Sequence, residues 1–152
     1  MKTPVRLEQA IQKLYVAFHN NTLHPECCKQ CAVGNILDNR EDWKHLTDSH
    51  GSIELNYIGK VHEVLGRKFN GYSPLELLKI EAIFLEACGY RLPLHHKNKN
   101  PENPTDKDVL FNGLCAVVTF LCGIDNVPNV MDYSKLFEYE NDKPKHKLGI
   151  LI

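Results

Sequence analysis

Apolar residues recur at helical spacing along most of this chain, and capping or turn residues separate the stretches. The first helix is predicted by apolar residues three or four positions apart: Leu7, Ile11, Leu14 and Phe18. It should begin at Pro4, since proline suits a first helical position, and end at Asn20. A second helix is predicted from near Pro25, capped by Thr22, through a group of cysteines toward Leu37.

The pattern changes between residues 49 and 59. Ile53, Leu55 and Tyr57 alternate as they would in a strand, whereas the apolar residues that follow Tyr57 return to helical spacing. We therefore expect a loop or one short extended segment over residues 53–57, and then a helix from Tyr57 to Phe69.

Two long helices have the clearest signals. The sequence Ser73-Pro74-Leu75-Glu76 combines a capping box with a proline in the first turn. Two apolar stripes follow it, which is typical of a central helix, and Gly89 should end it. The last long helix should start at 105–108 and end near Gly123, and a shorter helix is predicted over 131–139. These elements predict a mainly α, compact single domain spanning residues 1–152, a bundle of five or six helices with an exposed basic stretch at 143–147.

Charge and hydropathy limit the classes of partner. Lysine and arginine number 18 and aspartate and glutamate 19, so the net charge is -1 and no broad basic field indicates nucleic-acid binding. No uninterrupted apolar run reaches the roughly 18 residues of a membrane span, and the N-terminus lacks a signal-peptide pattern. We therefore expect a cytoplasmic protein. A protein partner stays open.

Three of the six cysteines lie close together at Cys27, Cys28 and Cys31. In the reducing cytosol, metal binding or redox chemistry is more typical of such a cluster than a disulfide. On a helix, side chains three or four residues apart share a face, so these thiols and His24 could converge on one ion. Zn²⁺ prefers four sulfur or imidazole ligands. The sequence therefore predicts a zinc site, or a site for another thiophilic metal, whose remaining ligands come from distant residues.

Two alternatives stay open. Cys28 and Cys31 form a C-x-x-C motif that could cycle between thiol and disulfide or serve electron transfer, although no βαβ pattern surrounds it. The cysteines could also be structural residues of an interaction domain that binds no metal. No phosphate-binding loop, dinucleotide fingerprint or nucleophile elbow occurs, so the chain has no catalytic signature.

Three stretches resemble a known group of proteins: residues 17–21, residues 28–35 and the segment Gly71-Tyr72-Ser73-Pro74-Leu75-Glu76. The chain is similar over most of its length to a small bacterial family whose members often carry the name of the flavin- and NADH-binding component of the sodium-translocating NADH-quinone reductase. That component is much longer and has a membrane anchor, an iron–sulfur domain and a flavin- and NADH-binding module. None of those motifs matches positions here, so the resemblance implies a soluble domain and assigns no flavin, NADH or cluster residue.

Overall fold

The computed structural model describes residues 4–27, 29–40, 42–92, 101 and 103–128. In chain order these residues form α1 (Val5–His19), α2 (Ala32–Ile36), a 3-10 helix (Asp42–His45), α3 (Tyr57–Val64), α4 (Pro74–Ala87) and α5 (Lys107–Ile124). The predicted mainly α fold is confirmed. The extended segment allowed for at 53–57 is absent, because that region turns and then caps α3. The helix predicted over 131–139 and the basic stretch at 143–147 lie outside the described residues.

The core forms where α4 packs against α5, with α1 against α5 and α2 on their flank. Both long helices begin as their sequences predict. Ser73 and Glu76 make the reciprocal hydrogen bonds of a capping box at the start of α4, and the Asp106 side chain caps α5. Gly113 lies at the α4–α5 contact, where a Cβ atom would come within 2.6 Å of Cys88 Sγ. The missing side chain therefore sets how closely the two central helices approach.

The guanidinium of Arg6 joins the ends of three helices. It bonds to Asp125 after α5, with Nη2 to Oδ1 at 2.5 Å, and to the carbonyl of Gly71 at 2.6 Å, and it pairs with Glu76 in the first turn of α4. It also lies 4.5 Å from the centre of the Tyr72 ring. These bonds hold the ends of α1, α4 and α5 together.

The second predicted helix is much shorter than expected. Residues 24–27 and 29–31 form turns, and the helix begins only at Ala32, after Cys31. Asn35 explains the difference, because its side-chain amide donates to the carbonyls of Thr22, Gln30 and Cys31 at 2.9–3.3 Å. Those bonds hold the loop beside the start of α2.

The third predicted helix is also shorter than expected and stops at Val64 rather than at Phe69. Gly66 has a φ of 75°, which glycine adopts without strain. Around it the N–H of Arg67 bonds to the carbonyl of His62 at 3.0 Å, as in a Schellman cap. The chain then reverses through Asn70-Gly71, where Phe69 and Tyr72 exchange backbone hydrogen bonds.

Helix α5 is the one helix, among the residues that the structure describes, that is long and apolar enough to cross a membrane by length and composition. The core helix of a folded domain passes the same test. Here α5 buries Leu114, Val117 and Leu121 against its neighbours. The packing accounts for its apolar face.

Candidate metal centre

The cysteine cluster lies in a loop that connects α1 to α2. The N–H of His24 bonds to the carbonyl of Gln30 at 2.7 Å, and the N–H groups of Gln30 and Cys31 bond to the carbonyl of Cys27 at 3.0 and 2.8 Å. The Asn35 side chain holds the same loop through its hydrogen bonds to three carbonyls. The loop is thus closed by backbone bonds, and its last residue, Cys31, is held at the start of α2.

Cys31 is fully buried and acts as the N-terminal cap of α2. Its Sγ accepts the N–H of Gly34 at 3.3 Å, as a serine oxygen would at this position. The thiol also hydrogen-bonds to the carboxyl group of Glu81, which comes from the middle of α4. The side chain therefore points into the core.

Glu81 is 2% exposed, and no lysine or arginine pairs with it in the described part of the chain. Its Oε1 accepts the N–H of Val33 at 3.3 Å, whereas its Oε2 is buried without a hydrogen-bond partner. Burial raises the pKa of Glu81 above its ordinary value, and His50, the Cys31 thiol and Val33 N–H each oppose that rise. A buried carboxyl group of this kind is costly unless something else binds it.

His50 reaches the same point from the turn before Gly51. Its Nε2 lies 2.7 Å from the carbonyl oxygen of Pro25 and 3.9 Å from Oε2 of Glu81. A carbonyl can only accept, so Nε2 carries a hydrogen and donates it to Pro25. In the neutral ring the lone pair is then on Nδ1, and Nδ1 is buried without a partner.

These three side chains form the one group of potential ligands that meets in the described residues. One ligand atom from each of Cys31, His50 and Glu81 lies within 4.8 Å of the other two. A tetrahedral Zn²⁺ with bonds of roughly 2.0–2.3 Å would hold such atoms about 3.3–3.8 Å apart. The group would have to contract by about 1 Å to share an ion, which side-chain torsions can supply.

The four residues that the sequence proposed as ligands are placed differently. Cys31 belongs to the convergent group. Cys27 is half-buried in the loop, and His24 uses its Nδ1 to accept the N–H of Glu26 at 3.1 Å. Cys28 lies outside the described residues. The helical face on which these residues were expected to converge does not form, because residues 24–27 and 29–31 are in turns.

The sequence analysis did not identify His50 and Glu81. A signal for Glu81 exists, since it lies three or four residues from Leu77, Leu78, Phe84 and Leu85 and is therefore a lone charge in the middle of an apolar helix face. No comparable pattern marks His50. It joins the group only because the chain folds back over the cysteine loop.

Comparisons with other proteins add no assignment to this geometry. The chain matches no protein-family model, no curated protein and no solved structure. The resemblance to the bacterial family that carries the quinone-reductase name stays a prediction.

Proposed function

We propose that this protein binds a thiophilic divalent cation, preferentially Zn²⁺, through Cys31, His50 and Glu81. The observation that carries the proposal is that one ligand atom from each of Cys31, His50 and Glu81 lies within 4.8 Å of the other two. Two atoms of these residues, His50 Nδ1 and Glu81 Oε2, are also buried without a hydrogen-bond partner. They are the buried side-chain nitrogen and oxygen atoms without a partner in the part of the chain that the structure describes, and both belong to this group. A cation bound by the carboxylate would give the buried Oε2 a partner.

The donor set suits zinc. Thiolate, imidazole and carboxylate are its usual protein ligands, and their mixture of soft and hard atoms disfavours Ca²⁺ and Mg²⁺, which prefer oxygen alone. Metal-bound histidines usually donate their second N–H to a carbonyl or carboxylate. The bond from His50 to Pro25 already supplies such a contact, and it fixes the tautomer that leaves Nδ1 available.

Metal binding would join three parts of the sequence. Cys31 starts α2, His50 belongs to the turn after the 3-10 helix, and Glu81 lies on the central helix α4. An ion held among them would cross-link the segment 24–51 to the core. We expect zinc to raise the stability of this segment as well as to occupy the site, because metal affinity for the native fold adds directly to folding free energy.

The test is metal analysis of the full chain purified without an affinity tag, followed by titration with Co²⁺ as a spectroscopic probe. We expect about one equivalent of zinc and, with Co²⁺, a thiolate charge-transfer band. Glu81→Gln keeps the bond to Val33 and should weaken zinc binding, while Cys31→Ser should abolish the Co²⁺ band. Cys115→Ser is the matched control, since Cys115 is a half-buried thiol on α5. Protein that takes up no zinc, or variants that bind as wild type does, would refute the proposal.

A second set of variants separates this site from the ligand set predicted by the sequence. Cys27→Ser, Cys28→Ser and His24→Ala should each retain the metal if Cys31, His50 and Glu81 hold it. Loss of zinc in these variants, together with retention in Glu81→Gln, would move the site into the cysteine loop. The zinc function would survive that result, but the geometry proposed here would not.

Two other hypotheses remain predictions from the sequence. In one, Cys28 and Cys31 cycle between thiol and disulfide; in the other, the cysteines are structural residues of an interaction domain. Thiol–disulfide exchange requires an accessible sulfur. Cys31 is 0% exposed, which favours metal binding over exchange at this residue.

A further inference from the structure

Helix α3 presents its apolar side to solvent. Five apolar residues occupy one side of it: Tyr57, Ile58, Val61, Val64 and Leu65. At about 100° per residue they fall within an arc of roughly 120°. Tyr57 is 80% exposed and Val64 85% exposed, far more than core residues of the other helices.

The opposite side of α3 holds the helix to the domain. Gly59 is buried there, and a Cβ atom at this position would lie 2.4 Å from the carbonyl oxygen of Leu46. On the same side Glu63 accepts the N–H of Leu75, at the start of α4, at 3.0 Å. The helix therefore packs through a glycine and a carboxylate, and its apolar stripe is directed outward. This inverts the usual arrangement of an amphipathic surface helix.

The spacing of the stripe is symmetric about Val61. Positions 57 and 65 lie four residues to either side of Val61, and positions 58 and 64 lie three residues to either side. When two copies of such a helix pair antiparallel across a twofold axis at Val61, Tyr57 meets Leu65 of the other copy and Ile58 meets Val64. Every apolar residue then has an apolar partner, as an isologous interface requires.

We propose that α3 is a self-association surface on which a second copy of this chain docks through antiparallel pairing of the two helices. The four most exposed residues of the stripe offer on the order of 500 Å² of apolar surface, near the largest patch of a typical monomer. A stable interface buries about 800 Å² on each partner. The polar residues that flank the stripe can supply the remainder. We expect a reversible dimer with a dissociation constant on the order of micromolar.

The experiment is sedimentation velocity of the full-length chain over a concentration series. Wild type should shift from monomer to dimer, and Val64→Glu should raise the dissociation constant about tenfold or more, because the carboxylate would face Ile58 of the other copy without a partner. Val5→Glu is the matched control, since Val5 is an apolar residue of α1, 64% exposed, that does not belong to the stripe. Circular dichroism checks that each variant is folded.

Charge pairing then tests the antiparallel geometry. Ile58→Lys alone should also dissociate the dimer. The double variant Ile58→Lys/Val64→Glu should associate again, because each lysine would face a glutamate of the other copy. A wild-type chain that stays monomeric at roughly 0.5 mM, or a dimer that Val64→Glu leaves intact, overturns the proposal. Failure of the double variant to associate overturns the antiparallel arrangement.

Discussion

Replacing Gly113 by alanine should destabilise this protein, although alanine is the better helix former. Gly113 faces α4 from inside α5, and an added Cβ atom would lie 2.6 Å from Cys88 Sγ and 2.8 Å from two ring carbons of Phe84. Non-bonded heavy atoms of this kind normally stay about 3.5–4.0 Å apart. The central helices would therefore have to separate locally by about 1 Å.

Two opposing terms set the size of the effect. Alanine in place of glycine inside a helix stabilises by about 0.8–1.0 kcal/mol. Overpacking of a core contact costs typically about 1–3 kcal/mol, and a gap of about 1 Å between helices also loses a quarter to a half of the local dispersion energy. The packing cost exceeds the gain, and we expect a net loss of about 1–2 kcal/mol.

Gly123 provides the matched control. It lies on the same helix, and a Cβ atom at this position would meet nothing within 4 Å. Gly123→Ala should therefore stabilise by about 0.5–1 kcal/mol. In thermal denaturation the melting temperature should fall by about 3–6 °C for Gly113→Ala and rise by about 1–3 °C for Gly123→Ala. A Gly113→Ala protein that melts above wild type would refute this account of the α4–α5 contact.

The remaining predictions concern three other polar residues. Burial raises the pKa of Glu81, so the metal-free fold favours its protonated form. The contribution of Glu81 to the free energy of unfolding is therefore fully present below about pH 4 and is lost as pH rises through the raised pKa. Metal-free Glu81→Gln should therefore exceed wild type in urea-unfolding stability at about pH 8, with a difference that shrinks toward about pH 4. Arg6→Lys should cost about 1–2 kcal/mol, because lysine cannot bond to Asp125 and the Gly71 carbonyl in the same geometry. Asn35→Ala should cost about 1–3 kcal/mol and speed amide hydrogen exchange in residues 24–31.

Each of these has a contradicting result. If the difference in unfolding stability between Glu81→Gln and metal-free wild type did not change with pH, burial would not raise the pKa of Glu81. For Arg6→Lys the comparison is Lys13→Ala. It removes an ion pair to the half-exposed Asp38 and a bond to the Ile36 carbonyl, both near the surface, and should change stability by about 1 kcal/mol or less. Equal losses of stability in the two variants would mean that the Arg6 contacts stabilise the fold no more than a surface ion pair does. Unchanged exchange in Asn35→Ala would show that the loop is held by its backbone bonds alone.

Local sequence chemistry predicted most helix boundaries and missed two, the start of α2 and the end of α3. Ser73 and Asp106 cap α4 and α5 as expected, because a cap requires only a suitable side chain and a free N–H two or three residues on. The predicted α2 was too long at its start, where the Asn35 side chain bonds to the carbonyls of Thr22, Gln30 and Cys31. The predicted α3 was too long at its end, because Gly66 caps the helix before Phe69.

The periodicity of apolar residues was sufficient to predict a helical domain with α4 as a central helix, since burial of a continuous stripe depends on spacing. The sequence also identified Cys31 as a candidate ligand from its chemical type. The partners of that thiol were decided only by the tertiary fold, because His50 and Glu81 are 19 and 50 positions away along the chain. The outward direction of the α3 stripe was likewise decided by packing. A helix with one apolar side normally buries it, and here Gly59 permits a close approach of the other side to the backbone at Leu46.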